Sequence, residues 1–526
     1  MSEITAKVLI IGGGATGTAI ARDLSLRGIS CLLVEQKDIN SGASGANHGL
    51  LHSGARYVYS DLSAAVECKQ ESLILKQIAP HCIENTGGLF VAVEGDDERY
   101  IAEFPALCSK AKISVKALSV AEARHLEPAL SAKTIAAFQV EDAAIDPFML
   151  SLEMMEDACR LGSRYLSYHK VIGFRKAKQI DQVVLADINT KQEIKVSAEL
   201  VINASGAWAG EVAALAGIGL DMIYSKGSLI ITQNRLATRV INRLRTPADA
   251  DIIVPGGTVS VLGTTSILAE NLDNIRPTTI ETDYIVDECA AMIPILQSTR
   301  IIRAYAGVRP LVGVGEETDE DSRSVSRGFA LIDHEADGIE NFITITGGKL
   351  TTCRLMAEKT ADLVCRKLGV KEKCGTRKVK IGSSTANKWT EPGLAPSIWI
   401  KSREGMGGIL CECEMVPASS VANIADSLRA QGLIPDLKAI GLRSRIGKGP
   451  CQGAFCSVRV ASFLYDKGYL ENDSGLKIIH DFIENRWRGI RPVISAISAE
   501  QVEMMESLHC NLFGLELAVK DDEILD

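Results

Sequence analysis

The segment Val8-Leu9-Ile10-Ile11-Gly12-Gly13-Gly14-Ala15-Thr16-Gly17 decides the fold. Four consecutive apolar residues suit a strand buried on both faces. Gly12, Gly14 and Gly17 follow at G-x-G-x-x-G spacing, and a helical pattern runs on through Ala21 and Leu24 to Gly28. A second strand, Cys31-Leu32-Leu33-Val34, closes on Glu35, 18 residues beyond Gly17. Three glycines at this spacing arise often by chance; strand, turn, helix and acid-ended strand in that order make a dinucleotide-binding βαβ opening. Gly12 permits the tight turn, and Gly14 lets backbone approach a pyrophosphate at the helix N-terminus, beside Ala15 and Thr16. Gly17 lets helix and strand pack closely, while Glu35, next to Gln36, reaches a ribose hydroxyl.

Working outward, the loop Ser41-Gly-Ala-Ser44-Gly-Ala-Asn47-His48-Gly49, just after Glu35 and leading into Leu51, is a long run of small residues. It can bring backbone against a flavin, whereas a simple NAD domain would enter its next helix directly. Asn203-Ala204-Ser205-Gly206-Ala207-Trp208 again sets small residues after a strand, and Phe342 to Thr346 is a strand ending at Gly347-Gly348-Lys349-Leu350-Thr351. The Ser41–Gly49 loop and the Asn203–Trp208 segment point to FAD. One complete G-x-G-x-x-G suits one tightly held flavin better than an FAD and NADPH pair.

The length of 526 residues predicts three or four domains. Lys plus Arg number 57 against 66 Asp plus Glu, a net charge of −9 that excludes general nucleic-acid binding. Apolar residues at 46% and charged residues at 23% argue against disorder. No apolar run spans a membrane, and the N-terminus leads straight into a strand pattern without a secretion signal. The expected location is cytoplasmic, with membrane attachment only through a partner. Cys31, Cys68, Cys82, Cys108, Cys159, Cys289 and Cys365, out of 14 cysteines, are scattered singly and read as small core residues.

The fold expected is α/β plus α+β. A Rossmann-like FAD-binding domain takes residues 1–85, 145–215 and 300–370, and an antiparallel-sheet substrate domain takes 86–144 and 216–299. Residues 371–404 read as a linker, 405–470 as a small helical module, and 471–526 as a helical tail. Within the module, Pro417 to Ala430 and Pro435 to Ile446 read as short helices, and Leu476 to Trp487 as a helix of the tail.

A phosphate dianion needs at least two fixed cations, and arginine forks match its oxygens. Arg56, Arg309 and Arg327 sit in Gly-rich or turn-like contexts, and Lys349 sits at a Gly-Gly turn opening a helix. Residues 1 to about 370 resemble the FAD-dependent glycerol-3-phosphate dehydrogenases, within the glycine-oxidase-like and glutathione-reductase-like flavoproteins. The matching segments are Gly12 to Gly17, His52-Ser-Gly-Ala-Arg56-Tyr57, Lys226-Gly227-Ser228, Ala306-Gly-Val-Arg309-Pro-Leu311, Ser326-Arg327 and Gly347 to Thr351. With its C-terminal cysteines the whole chain resembles the large subunit of the anaerobic members. The resemblance implies that Arg56, Tyr57, Arg327 and Lys349 hold the phosphate, and that Arg309 stands beside the C2 hydroxyl. Hydride would pass to a non-covalently bound FAD. His52 is the candidate base, its alternative being a loop histidine packed on the flavin. Aerobic members carry a histidine directly after Lys-Gly-Ser; Leu229 stands there instead, which leaves the proton's route open. Within the flavoproteins, a 2-hydroxyglutarate-like dehydrogenase is the rival reading; a flavin-bearing sensor is the non-enzymatic one.

Cys411-Glu-Cys413 and, after 37 intervening residues, Cys451-Gln-Gly-Ala-Phe-Cys456 place four thiolates on two loops. Four thiolates can hold either zinc or an iron–sulfur cluster, the bland alternative being cysteines that hold no metal, and C-x-C with C-x₄-C is unusual for zinc. The pattern resembles bacterioferritin-associated ferredoxin, which implies a [2Fe-2S] centre relaying electrons to partner subunits and, through them, to a quinone.

Overall fold

The computed structural model describes residues 3–312, 328–382, 408–511 and 513–515. The opening strand Glu3–Ile11 lies at the centre of an eight-stranded sheet. It pairs in parallel with Cys31–Val34 on one side and Glu193–Asn203 on the other. Val8, Leu9 and Ile10 are fully buried, as expected of a strand covered on both faces. The helices Ala15–Leu26, Pro147–Arg160 and Cys353–Leu368 pack on one face, where Ile10, Ile20, Leu24, Leu150 and Met356 share a core. On the other face Leu9, Ile11, Leu32 and Val34 share a core with Val171, Val183 and Leu185 of His169–Lys176 and Ile180–Asp187, strands that continue the same sheet, and with Val212 and Ala213.

Pro147–Arg160 starts where it does for a local reason. Asp146 accepts from the Phe148 and Met149 amides at 2.9 and 3.0 Å, and Pro147, which lacks an amide proton, takes the first helical position.

The second sheet has nine strands. It departs from the sequence expectation twice. Val240–Arg243 runs parallel to Gly88–Val93, so the sheet is mixed rather than antiparallel. Ile301–Val312, expected in the FAD-binding domain, pairs with Met222–Thr232 along its whole length and belongs to the substrate sheet. A continuous antiparallel ladder outweighs any contact that this strand makes with the neighbouring domain.

The small module also differs from expectation. Its helices Ala418–Ala430, Leu437–Arg443 and Cys456–Asp466 share one core with Ile478, Ile479 and Phe482 of Ser474–Ile490. The predicted tail therefore completes this module. The predicted linker begins packed rather than free: Ile381 is buried and its amide donates to Ile78 O at 2.8 Å, while Arg22 Nη2 donates to Val379 and Lys380 carbonyls at 3.0 Å. Residues 383–407 lie outside the described ones. Of the seven scattered cysteines, six are buried and Cys159 is exposed, a correction that follows from its place near the end of an amphipathic helix. Among the described residues, no helix is long and apolar enough to cross a membrane.

Candidate active site

A cavity of about 590 Å³ opens between the two sheets. Its first end is the glycine turn. Gly12 has φ +114°, and a methyl group there would lie 2.5 Å from Ala204 O, so only glycine lets the two strand ends meet. A methyl on Gly17 would sit inside the Gly12 carbonyl, which is why the helix can lie so close to the strand. The helix cap Gly14 has no side chain to occupy the free amides, and the first turn carries no acid. That leaves a helix N-terminus suited to an anion. Glu35 is fastened by its own oxygens: the Gly13 and Lys37 amides donate to it at 2.8 and 2.9 Å. Burial raises its pKa, and these bonds oppose the rise.

The small-residue loop wraps this end. Ala15 N donates to Ser44 Oγ at 3.0 Å, Asn47 Nδ2 donates to Ser44 O at 2.7 Å, and Gly49 N donates to Asn47 Oδ1 at 2.7 Å. Ser205, Gly206 and Trp208 line this end too, with Gln36 and Thr16, and a methyl group on Gly42 of the loop would lie 3.1 Å from the Trp208 ring.

The second end gathers cations. Arg309 lies along Met222–Thr232, its guanidinium donating to Ser225 Oγ at 3.3 Å, to Thr265 O, and to Thr264 Oγ1. A methyl on Gly227 would come 2.7 Å from Arg309 Nη2, so the glycine of Lys226-Gly227-Ser228 makes room for that arginine. Its neighbours face away: Lys226 Nζ and Ser228 Oγ each donate to buried Glu281 at 2.8 Å. Burial would raise the Glu281 pKa, but the Lys226 ammonium and the hydroxyl donors hold it below the usual range. Arg56 donates to Ala248 O at 3.0 Å and pairs with buried Asp251 at 3.1 Å. Lys349 Nζ stands 4.7 Å from the centre of the Tyr57 ring, and Tyr57 OH is 3.4 Å from His52 Nε2. His52 N in turn donates to Thr351 Oγ1 at 3.3 Å.

The cavity wall thus collects Gly12, Gly14, Ala15, Thr16, Glu35, Gln36, Ser44, Asn47, His52, Arg56, Tyr57, Ser205, Gly206, Trp208, Arg309, Gly348, Lys349, Leu350 and Thr351. Three expected residues stand back from it. Gly17 and Gly49 shape the backbone behind the wall, and Leu51 is fully buried in the helix-side core, because strand alternation turns Leu50 and His52 to the cavity. Arg327 lies outside the described residues. His48 is the residue that sequence reasoning passed over. It lines the cavity, and its Nδ1 has no hydrogen-bond partner among the described residues. Burial, then the charges of Arg309 and Arg56, hold its pKa down to about 3. The available signal was its position in the Asn47-His48-Gly49 turn, four residues before His52.

The four clustered cysteines form a second centre. Cys411 ends the short strand Ile409–Cys411, Cys413 follows in the hairpin, and Cys456 opens Cys456–Asp466. Cys411 and Cys456 are buried, Cys413 and Cys451 half-buried, and no disulfide joins them. Hydrogen bonding from Cys456 pulls the Cys451 thiol down to about 5 and lowers Cys411, while Cys456 itself rises. Cys456 bonds both Cys411 and Cys451, and Cys451 bonds Cys413, so the four thiols are linked pairwise in one cluster. A methyl on Gly449 would lie 2.6 Å from Cys413 Cβ, so the Gly447-Lys448-Gly449 turn closes directly over the hairpin. Four converging thiols in a glycine-lined cradle fit a thiolate-held cluster.

The module is fixed to both sheets. Arg443 Nη1 and Nη2 grip Asp38 Oδ2 and Oδ1 at 2.7 and 3.0 Å. Arg445 pairs with buried Glu414, which accepts from Thr258 Oγ1 at 2.6 Å.

Residues 7–363 match the family described as FAD dependent oxidoreductase (DAO). Among solved structures, the glycerol-3-phosphate dehydrogenase of Bacillus halodurans complexed with FAD superposes with a TM-score of 0.66 at 22% identity, covering 94% of this chain and 97% of that one. Glycine oxidase from Geobacillus kaustophilus gives 0.56 at 19% identity, covering 73% of this chain and 100% of its own. The fold is therefore that of these oxidoreductases. Along the full sequence, the A subunit of anaerobic glycerol-3-phosphate dehydrogenase from Escherichia coli K12 is 40% identical over 98% of both chains. The A1 subunit of the Haloferax volcanii enzyme is 35% identical over 95% of this chain and 89% of its own. The chain belongs to the FAD dependent oxidoreductase family and, within it, to the A subunits of the anaerobic glycerol-3-phosphate dehydrogenases.

Proposed function

We propose that this chain oxidises sn-glycerol 3-phosphate to dihydroxyacetone phosphate, with FAD held non-covalently. One observation carries the reading: a single cavity has a dinucleotide cradle at one end and Arg56, Arg309 and Lys349 at the other. The cradle residues Gly12, Gly14, Ser44, Ser205 and Glu35 hold the FAD, which when bound supplies the two-electron acceptor for the alcohol's hydride. Arg56, Tyr57 and Lys349, together with Arg327, hold the phosphate. Arg309 stands beside the C2 hydroxyl, its guanidinium steadied by Ser225, Thr264 and Thr265. His52 takes the hydroxyl proton at Nε2, oriented by Tyr57 OH and by its own backbone bond to Thr351.

Cys411, Cys413, Cys451 and Cys456 hold a [2Fe-2S] cluster, which when bound supplies one-electron transfer. The subunit designation of the relatives supports an assembly with other subunits; in this reading those partners receive the electrons and deliver them to a quinone. Such an assembly holds the chain at the cytoplasmic face of a membrane.

Anaerobic titration watched by visible absorbance tests the substrate. Glycerol 3-phosphate should bleach the flavin, and 2-hydroxyglutarate should leave it yellow. Bleaching by the hydroxyacid alone would move the assignment to a 2-hydroxyacid dehydrogenase. Acid precipitation should release the FAD into the supernatant, and iron with acid-labile sulfide should accompany the anaerobically purified protein.

A further inference from the structure

Asp251 is buried directly before the strand Ile252–Gly256, behind the cavity wall. Its carbonyl accepts from the Arg243 amide at 2.8 Å, which ties it to the neighbouring strand Val240–Arg243. Its carboxylate holds three donors. Oδ2 accepts from the Ala248 amide at 2.6 Å and from Arg56 Nη2 at 3.1 Å, and Oδ1 accepts from Arg245 Nε at 2.9 Å. Ala248 is tied twice, because its carbonyl also accepts from Arg56 Nη2, at 3.0 Å. Arg56 and the segment Pro247-Ala248-Asp249 line the cavity, and Asp251 links them from behind.

Nη2 of Arg56 is thereby committed to the protein. Among the described residues, no hydrogen bond uses its Nε or Nη1, so those are the donors that a ligand can take. Arginine recognises a phosphate through parallel N–H groups in one plane, and a guanidinium free to swing on its long side chain loses that match. Asp251 fixes the plane. It is also shared: Arg245, whose Nη2 donates to Glu288 Oε2 at 2.7 Å, holds the same carboxylate from the other side. One buried carboxylate between two guanidinium groups orients Arg56 while its negative charge is divided between them.

We propose that Asp251 is the positioning residue of the phosphate end: it fixes Arg56 through Nη2, together with the wall segment 247–249, so that Nε and Nη1 meet the phosphate of the substrate. Asp251 itself touches neither substrate nor cofactor. The inference rests on the reading of Arg56 as a phosphate ligand.

Steady-state kinetics of the holoenzyme, with glycerol 3-phosphate and an electron-accepting dye, test it. Asp251→Asn keeps the shape and removes the charge. KM should rise about tenfold while kcat stays within about threefold, the mark of binding lost equally in ground and transition states. Inorganic phosphate, used as a competitive inhibitor, should weaken by a similar factor. Arg56→Ala should raise KM at least as far, and Asp251→Asn should add less than about threefold in that background, because its effect runs through the arginine. A merely structural role would instead give the full further rise in the Arg56→Ala background. That result overturns the inference, as does an unchanged KM in Asp251→Asn. Where Asp251→Asn does not fold with its flavin, Arg245→Met, which leaves the carboxylate to Arg56 alone, takes its place. Its KM should rise about threefold, and the rise should vanish in the Arg56→Ala background; no rise, or one that persists there, overturns the inference equally. Wild-type flavin that glycerol 3-phosphate fails to bleach would overturn the substrate reading itself, a result distinct from an Asp251 variant whose KM does not move.

Discussion

His48→Gln should flatten the acid limb of the protein's stability. Burial and the neighbouring Arg309 and Arg56 hold the folded-state pKa down to about 3, whereas an unfolded chain titrates near ~6.5. Above pH ~6.5 both states carry a neutral ring, and the histidine adds no pH dependence. As pH falls from ~6.5 towards ~3, the unfolded chain binds a proton that the folded chain refuses, so stability is lost through that window. One pH unit corresponds to about 1.4 kcal/mol, which gives about 2 kcal/mol lost at pH ~5 and about 4–5 kcal/mol over the full window. The ring opens on the cavity and is only half-buried, so screening makes these upper bounds. Thermal unfolding of flavin-free wild type and variant at pH ~8, ~6.5 and ~5 reads the effect. The gap between the two should be constant across the upper pair and move by a few degrees in the variant's favour at the lowest. Parallel curves throughout would show that His48 titrates normally. A ring kept neutral near pH ~7 adds no charge to Arg56, Arg309 and Lys349, which line the same cavity.

Gly12→Ala forces a methyl group into the Ala204 carbonyl at a φ of +114°, a strain of roughly 1–3 kcal/mol that must open the glycine turn. The variant should purify with its flavin largely missing, and a full visible flavin band would refute the cradle. Arg443→Ala strands Asp38, 2% exposed, and should cost about 3 kcal/mol, the low end for a broken buried pair because the Ile39 amide still donates to it. Differential scanning calorimetry should show the cysteine module melting earlier than in wild type; an unchanged profile would mean that the pair does not fasten it.

The glycine turn, the second strand and Glu35 were legible because each makes one demand that few residue types satisfy: no side chain at Gly12, close approach at Gly17, an acid at the strand end. The substrate sheet was less legible. Residues 301–312 fall within the stretch expected in the FAD-binding domain, and nothing in their own sequence says which sheet the strand Ile301–Val312 joins. That is fixed by the partner strand Met222–Thr232 and visible only in three dimensions. The parallel pairing of Val240–Arg243 with Gly88–Val93 is hidden for the same reason, since strands so far apart in sequence carry no mark of their pairing. Leu51 misled because a two-residue strand gives too little alternation to tell which side faces the cavity. His48 was overlooked because its character comes from burial in the folded cavity wall and from Arg309 and Arg56, distant in sequence, and not from the turn that carries it.

The antiparallel ladder between Met222–Thr232 and Ile301–Val312 explains why the two ends of the cavity keep a fixed relation. Gly307 and Arg309 are two residues apart on one strand, so they face the same side. Gly307 meets the flavin-side loop, where a methyl group would lie 2.6 Å from Ala46 O, and Arg309 meets the substrate end. Their partners across the ladder are Gly227 and Ser225. Lys226 and Ser228, which flank Gly227, are both fastened to Glu281, and Glu281 belongs to a helix packed on the same sheet. A slip of one residue would turn Arg309 away from the cavity and lose both bonds to Glu281 at once. The Lys-Gly-Ser segment therefore contributes without presenting its lysine or serine to a ligand. It locks the register that holds one arginine at a fixed distance from the cofactor loop, and the glycine between them leaves the space which that arginine fills.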